Sequence, residues 1–166
     1  MRILLKLVLD CEPDAAWRAV RSPAVFQQVS APVMVFSSLD EGGFTDQWSC
    51  GEHVVEAKLF GVIPAGRQLI DIRTEQRPAL ATHGRHADTS PVRIVHDTGR
   101  GLTWPLTLTT SWHHEMAISS TGDGRTLYRD RLRFSSGLLT PVMAVAYWVF
   151  WQARAVAMRR LSREWR

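Results

Sequence analysis

The chain has 166 residues, 45 % of them apolar, which suits one domain with one core, and it holds no internal repeat, low-complexity tract or long linker. Its net charge of +4 comes from arginines spread along the chain rather than blocked, which speaks against a nucleic-acid partner. The two cysteines, Cys11 and Cys50, have no metal-like spacing and make no disulfide framework, and they fit a reducing, cytoplasmic setting. The prediction is a single domain over residues 1–166.

The opening MRILLKLVLD reads as a first strand. Its apolar run is short, Lys6 interrupts it and no small-residue cleavage site follows, so it is not read as a signal peptide. Pro13 then opens a short helix over residues 14–21 anchored by Trp17, and Ser22-Pro23 opens a second through Val29. Strands are predicted over residues 33–38, 47–60, 68–74, 92–98, 106–119 and 125–134, with a turn at Glu41-Gly42-Gly43 and a polar loop holding His83, His86 and Ser90-Pro91. After Gly137, Thr140 as cap and Pro141 at the first position start one long helix that runs nearly to the end. Val142, Ala146, Val149/Phe150, Ala153, Ala157 and Leu161 recur at three- and four-residue steps and predict its apolar face. At 1.5 Å per residue, a helix of about 25 residues is roughly 37 Å long, enough to cross a small sheet. The apolar stretch from Leu138 to Trp151 falls short of the roughly 20 residues a bilayer span needs, and Gln152 and Arg154 close it. A covering helix over a curved antiparallel sheet of about seven strands, in the order β-α-α-β-β-β-β-β-β-α, is the predicted α+β architecture.

Charge and apolarity together predict strand register. With Gly122-Asp123-Gly124 as a three-residue loop, Thr121 faces Arg125. Ile118 then pairs with Tyr128, Met116 with Asp130, His114 with Leu132 and Trp112 with Phe134 on one face, while Glu115–Arg131 and His113–Arg133 share the other. The same reasoning sets Lys58 against Asp71 and Glu56 against Arg73, with Val55, Ala57, Leu59, Ile70 and Ile72 inward.

On the inner face His114 and Asp130 are diagonal neighbours. A buried carboxylate needs partners, so Asp130 requires His114, Tyr128, a backbone N–H, Arg154 or a ligand group. Two interpretations stand side by side: a satisfied pair tying helix to sheet, or the polar end of an apolar cavity. The predicted ligand contacts are Trp112, His114, Met116, Tyr128 and Asp130, with Ile70, Val149 and Phe150. If the pair is catalytic, His114 and Asp130 serve as acid–base groups and Tyr128 as a donor. Nucleophile motifs such as G-x-S-x-G and S-x-x-K are absent, and Gly42-Gly43 and Gly99-Arg100-Gly101 lack a phosphate-binding pattern. His113 and His114 point to opposite faces of a regular strand, and His83-x-x-His86 has no matching Cys or Glu spacing, so no metal or other cofactor is expected. The arginines that close the chain (Arg154, Arg159, Arg160, Arg163, Arg166), together with Trp148, Trp151 and Trp165, also suit transient contact with a membrane surface or a protein.

The order of elements resembles the START/polyketide-cyclase helix-grip superfamily, also called SRPBCC, over essentially the whole chain. Pro13-x-x-x-x-Trp17, Leu59-Phe60-Gly61-Val62, Trp112-His113-His114, and Tyr128-Arg129-Asp130-Arg131-Leu132 followed by Gly137 and Pro141 carry the resemblance. It implies a hydrophobic cavity between helix and sheet that binds or carries lipid-, quinone-, polyketide- or hormone-like molecules. Some members are aromatases or cyclases, and the residues here match no catalytic set among them. A non-catalytic binder is the first functional expectation; a cyclase- or dehydratase-like enzyme is the second.

Overall fold

A computed structural model of the chain describes residues 1–78 and 90–165; His83 and His86 lie outside them. Among the described residues eight strands form one antiparallel sheet: β1 (Arg2–Leu9), β2 (Met34–Ser38), β3 (Gly51–Leu59), β4 (Ile63–Arg77), β5 (Val92–Asp97), β6 (Arg100–Gly101), β7 (Ser111–Ser120) and β8 (Thr126–Ser135). The spatial order is β1-β8-β7-β5-β4-β3-β2, with the two-residue β6, too short to show in the sequence, hung on β4. Helices α1 (Pro13–Val20) and α2 (Pro23–Ser30) link β1 to β2, and α3 (Thr140–Leu161) packs on β1 and α2. This is a helix-grip fold: a curved sheet closed by one long C-terminal helix.

Local chemistry accounts for most elements. In β1 alternate residues Ile3, Leu7 and Leu9 are buried while Leu4 and Val8 are exposed, the period of a half-buried strand. Helix α1 buries Ala15, Ala16 and Ala19, whose small side chains allow close approach to the sheet, and both short helices begin with proline, whose missing N–H needs no partner there.

The β7–β8 hairpin adopts the predicted register, from Trp112 opposite Phe134 to Ile118 opposite Tyr128. Gly122 and Gly124 take positive φ, and the Thr121 N–H donates to the Arg125 carbonyl, closing the three-residue loop.

Four expectations need correction. In β3–β4, Glu56 faces Arg67 and Lys58 faces Pro64, not Arg73 and Asp71. Strand β4 starts at Ile63, straight after a tight turn at Phe60-Gly61, and a bulge falls between Ala57 and Lys58. Turn geometry sets hairpin register, and exposed charge pairs worth tenths of a kcal/mol cannot override it. Up to the bulge the slip is even, so the facing survives there: Val55, Ala57, Ile70 and Ile72 are buried. The strand predicted from Leu106 begins at Ser111, because Leu106–Leu108 forms a 3-10 turn after Trp104-Pro105.

The largest correction concerns α3. Val142, Val145, Trp148, Val149 and Val156 are exposed, whereas Trp151, Arg154, Ala155 and Met158 are buried and Met143, Tyr147 and Phe150 are half-buried. From Pro141 to Trp151 the helix is apolar on every side, so spacing alone selects no face. What selects it is the buried carboxylate of Asp130, which turns Trp151 and Arg154 inward. Nor does Thr140 act as the N-cap: its hydroxyl accepts from the Ser136 N–H and donates to the Gly137 carbonyl, tying down the preceding turn. No helix among the described residues is long and apolar enough to cross a membrane.

Candidate functional site

A cavity of about 300 Å³ lies between the sheet, α2 and α3. Its wall is mainly apolar, with Phe26, Val29, Phe36, Trp48, Ile70, Ile72 and Met158, and is interrupted by Gln68, Asp97, Arg100, Thr109, His114 and Arg154. Of the predicted contacts, Ile70, Trp112, His114, Met116 and Phe150 line this space. Tyr128 and Asp130 are fully buried and stand outside the lining, and Val149 is 53 % exposed on the outer side of α3, for the reason given above.

The hairpin register and the inward turn of α3 bring His114, Tyr128, Asp130, Trp151 and Arg154 together. Asp130 Oδ1 accepts hydrogen bonds from His114 Nε2 at 2.8 Å and Trp151 Nε1 at 2.9 Å. Oδ2 accepts from the Tyr128 hydroxyl at 2.6 Å, with Arg154 Nε 3.9 Å away. Burial alone would raise the Asp130 carboxyl, but the charge and hydrogen bond of His114, followed by Arg154 and Tyr128, hold it down to about 2. Burial, then the adjacent Asp130 charge, pushes the Tyr128 phenol well above its ordinary range and keeps it a neutral donor. Because Nε2 faces a carboxylate it carries a proton, so in the neutral form of the imidazole the lone pair is on Nδ1.

A second carboxylate, Asp97, lines the cavity opposite His114 across the β5–β7 ladder. Its Oδ1 accepts from the backbone N–H of Gly99 and Asp71, and its Oδ2 from Trp112 Nε1 at 3.0 Å. Burial raises the Asp97 carboxyl despite His114 and these donors. Gly99 is required beside it, since a Cβ there would sit 1.9 Å from the Leu69 carbonyl oxygen. Sequence reasoning missed Asp97. The available signal was an acidic residue in phase with the inward Val95 and followed by a glycine two positions later.

Arg154 is the charged residue that α3 contributes to the cavity wall. Its Nη2 lies 3.5 Å from the Met116 sulfur, and its buried Nε has no hydrogen-bond partner.

On the outer face of the sheet, His113 meets His96 and Glu115, with their donor atoms within 4.8 Å of one another. Sequence spacing could not show this grouping, which depends on pairing between β5 and β7. Its carboxylate is already held by Arg131 and Arg133, and His96 Nε2 lies 3.0 Å from Glu75.

No protein-family model matches the chain, and no curated protein sequence matches it. Solved structures do. An aromatase/cyclase from a Streptomyces species is similar at 9 % identity and a TM-score of 0.62, with 99 % of this chain and 94 % of that one covered. A norcoclaurine synthase point mutant from Thalictrum flavum is similar at 13 % identity and a TM-score of 0.59, over 99 % and 94 % of the two chains. A hypothetical protein from Helicobacter pylori is similar at 9 % identity and a TM-score of 0.65, over 98 % and 88 %. At these identities the likeness establishes the helix-grip fold that the sequence resemblance implied.

Proposed function

We propose that this protein binds or carries a hydrophobic small molecule, lipid-, quinone- or polyketide-like, between the sheet and α3. The observation that carries the proposal is the apolar cavity of about 300 Å³, roughly twice the volume known to hold benzene, so its contents are of the order of two rings or a short acyl chain. One neighbouring structure, a norcoclaurine synthase, is a complex with dopamine and hydroxybenzaldehyde, which supports small aromatic contents for this kind of fold. The free thiols of Cys11 and Cys50 suit the reducing, cytoplasmic setting that we assign. Native mass spectrometry of freshly purified protein, organic extraction, and titration with aromatic and acyl compounds test the binding. A retained molecule, or saturable binding that Ala65→Trp abolishes by filling the wall, is the expected result. A protein that binds no member of such a panel sinks the proposal.

A cyclase- or dehydratase-like enzyme is the second reading, favoured by His114. Its Nε2 is held by a buried carboxylate and the residue lines the cavity wall, so its neutral form has the arrangement of a general base. Under it, His114→Gln retains ligand affinity within a few-fold while conversion of the bound molecule stops. Unchanged conversion rules His114 out.

A further inference from the structure

We propose that the ligand carries an oxyanion, a carboxylate or its equivalent, and that Arg154 receives it. This rests on the cavity being the ligand site.

Arg154 is 7 % exposed, and its side chain forms part of the cavity wall. A guanidinium presents five N–H donors in a planar fork. Here Nη2 reaches the Met116 sulfur, a weak acceptor, the Tyr128 hydroxyl is a second neighbour of the guanidinium, and Nε has no hydrogen-bond partner. Asp130 does not satisfy the fork. Its two oxygens already take His114, Trp151 and Tyr128 at 2.6 to 2.9 Å, and Arg154 Nε stands off at 3.9 Å. If Arg154 served only to tie α3 to the sheet, the two-pronged carboxylate pairing that arginine favours would be the natural geometry. A buried cation with unspent donors is costly unless something else completes it. The cavity is where that acceptor can enter.

The surrounding charges agree. Arg100 also lines the cavity, and Asp97, the one carboxylate on its wall among the described residues, is pushed by burial toward the neutral form. An apolar body against Phe36, Trp48 and Ile70, with an oxyanion at Arg154, suits a small aromatic or acyl carboxylate.

The experiment titrates the protein at neutral pH with 2-naphthoate, methyl 2-naphthoate and 2-naphthalenemethanol, using calorimetry or tryptophan quenching. Wild type should bind naphthoate about tenfold or more tighter than the ester or alcohol, as befits a charge-assisted hydrogen bond in a buried site. Arg154→Met should erase that preference and leave ester binding within about twofold, while Arg154→Lys should keep part of it. Equal binding of acid and ester by wild type, or an acid preference that survives in Arg154→Met, overturns the assignment to Arg154. The wild-type comparison decides even if a variant fails to fold. Ester binding without acid preference refutes the oxyanion alone. Binding of none of the three probes counts against the oxyanion and the cavity reading together.

Discussion

His113 and His114 are neighbours in the chain, and each sits beside a carboxylate, yet the two faces of the β7–β8 hairpin use them differently. Outside, Glu115 meets His113, Arg131 and Arg133, side chains that are roughly a third to a half exposed. Inside, His114 and Asp130 have side chains 8 % and 0 % exposed, and every acceptor position on the carboxylate facing a donor is used. Water can replace each outer contact and none of the inner ones. The same residue types therefore make a solvated surface network on one face and, on the other, a fixed anchor that orients both a cavity imidazole and a 22-residue helix.

The largest effect that can break this comparison is Asp130→Asn. It leaves the Arg154 cation buried without its counter-charge and sets an amide N–H₂ against existing donors, so a loss of about 3–5 kcal/mol is expected in denaturant unfolding. A loss below about 1 kcal/mol would place Asp130 with the outer carboxylates.

Acid titration comes next. The folded Asp130 carboxyl at about 2 lies below its unfolded value of about 3.9, so its contribution is complete above pH 4 and disappears as pH falls toward 2. The difference corresponds to roughly 2 to 3 kcal/mol, and the slope should vanish in Asp130→Asn. Asp97 has the opposite sign. Its folded value is raised, so it costs stability when ionised and returns it as pH falls through that value. Asp97→Asn should thus steepen the acid loss, and an unchanged slope would mean that Asp97 titrates normally.

Smaller effects sharpen the outer side. Glu115→Gln should cost about 1 kcal/mol or less, shrinking further in molar salt, whereas the Asp130 effect should resist salt. Smallest of all, Val149→Ser on the exposed side of α3 should change stability by no more than about 0.5 kcal/mol. Phe150→Ala, one position along and against the cavity, should cost several-fold more.

Much of this architecture is legible in the sequence because its causes are local. Alternation in β1, proline at the starts of α1 and α2, and Gly122-Asp123-Gly124 act over a few residues, so the β7–β8 register and the nearness of His114 to Asp130 follow from short-range rules. Where the chain is ambiguous over that range, tertiary contacts decide. The β3–β4 register turns on a bulge and an early strand start that no charge pattern reveals. Helix α3 is apolar all round, and the need to satisfy a buried carboxylate on β8 chooses its inward side over the spacing of its valines. Asp97 and Arg154 lie 57 positions apart on β5 and α3, and only the closing of helix over sheet sets them on one cavity wall. Period and turn chemistry, which act over a few residues, were within reach of the sequence alone; which polar groups share a buried space depends on contacts between distant segments, and only the tertiary structure decided that.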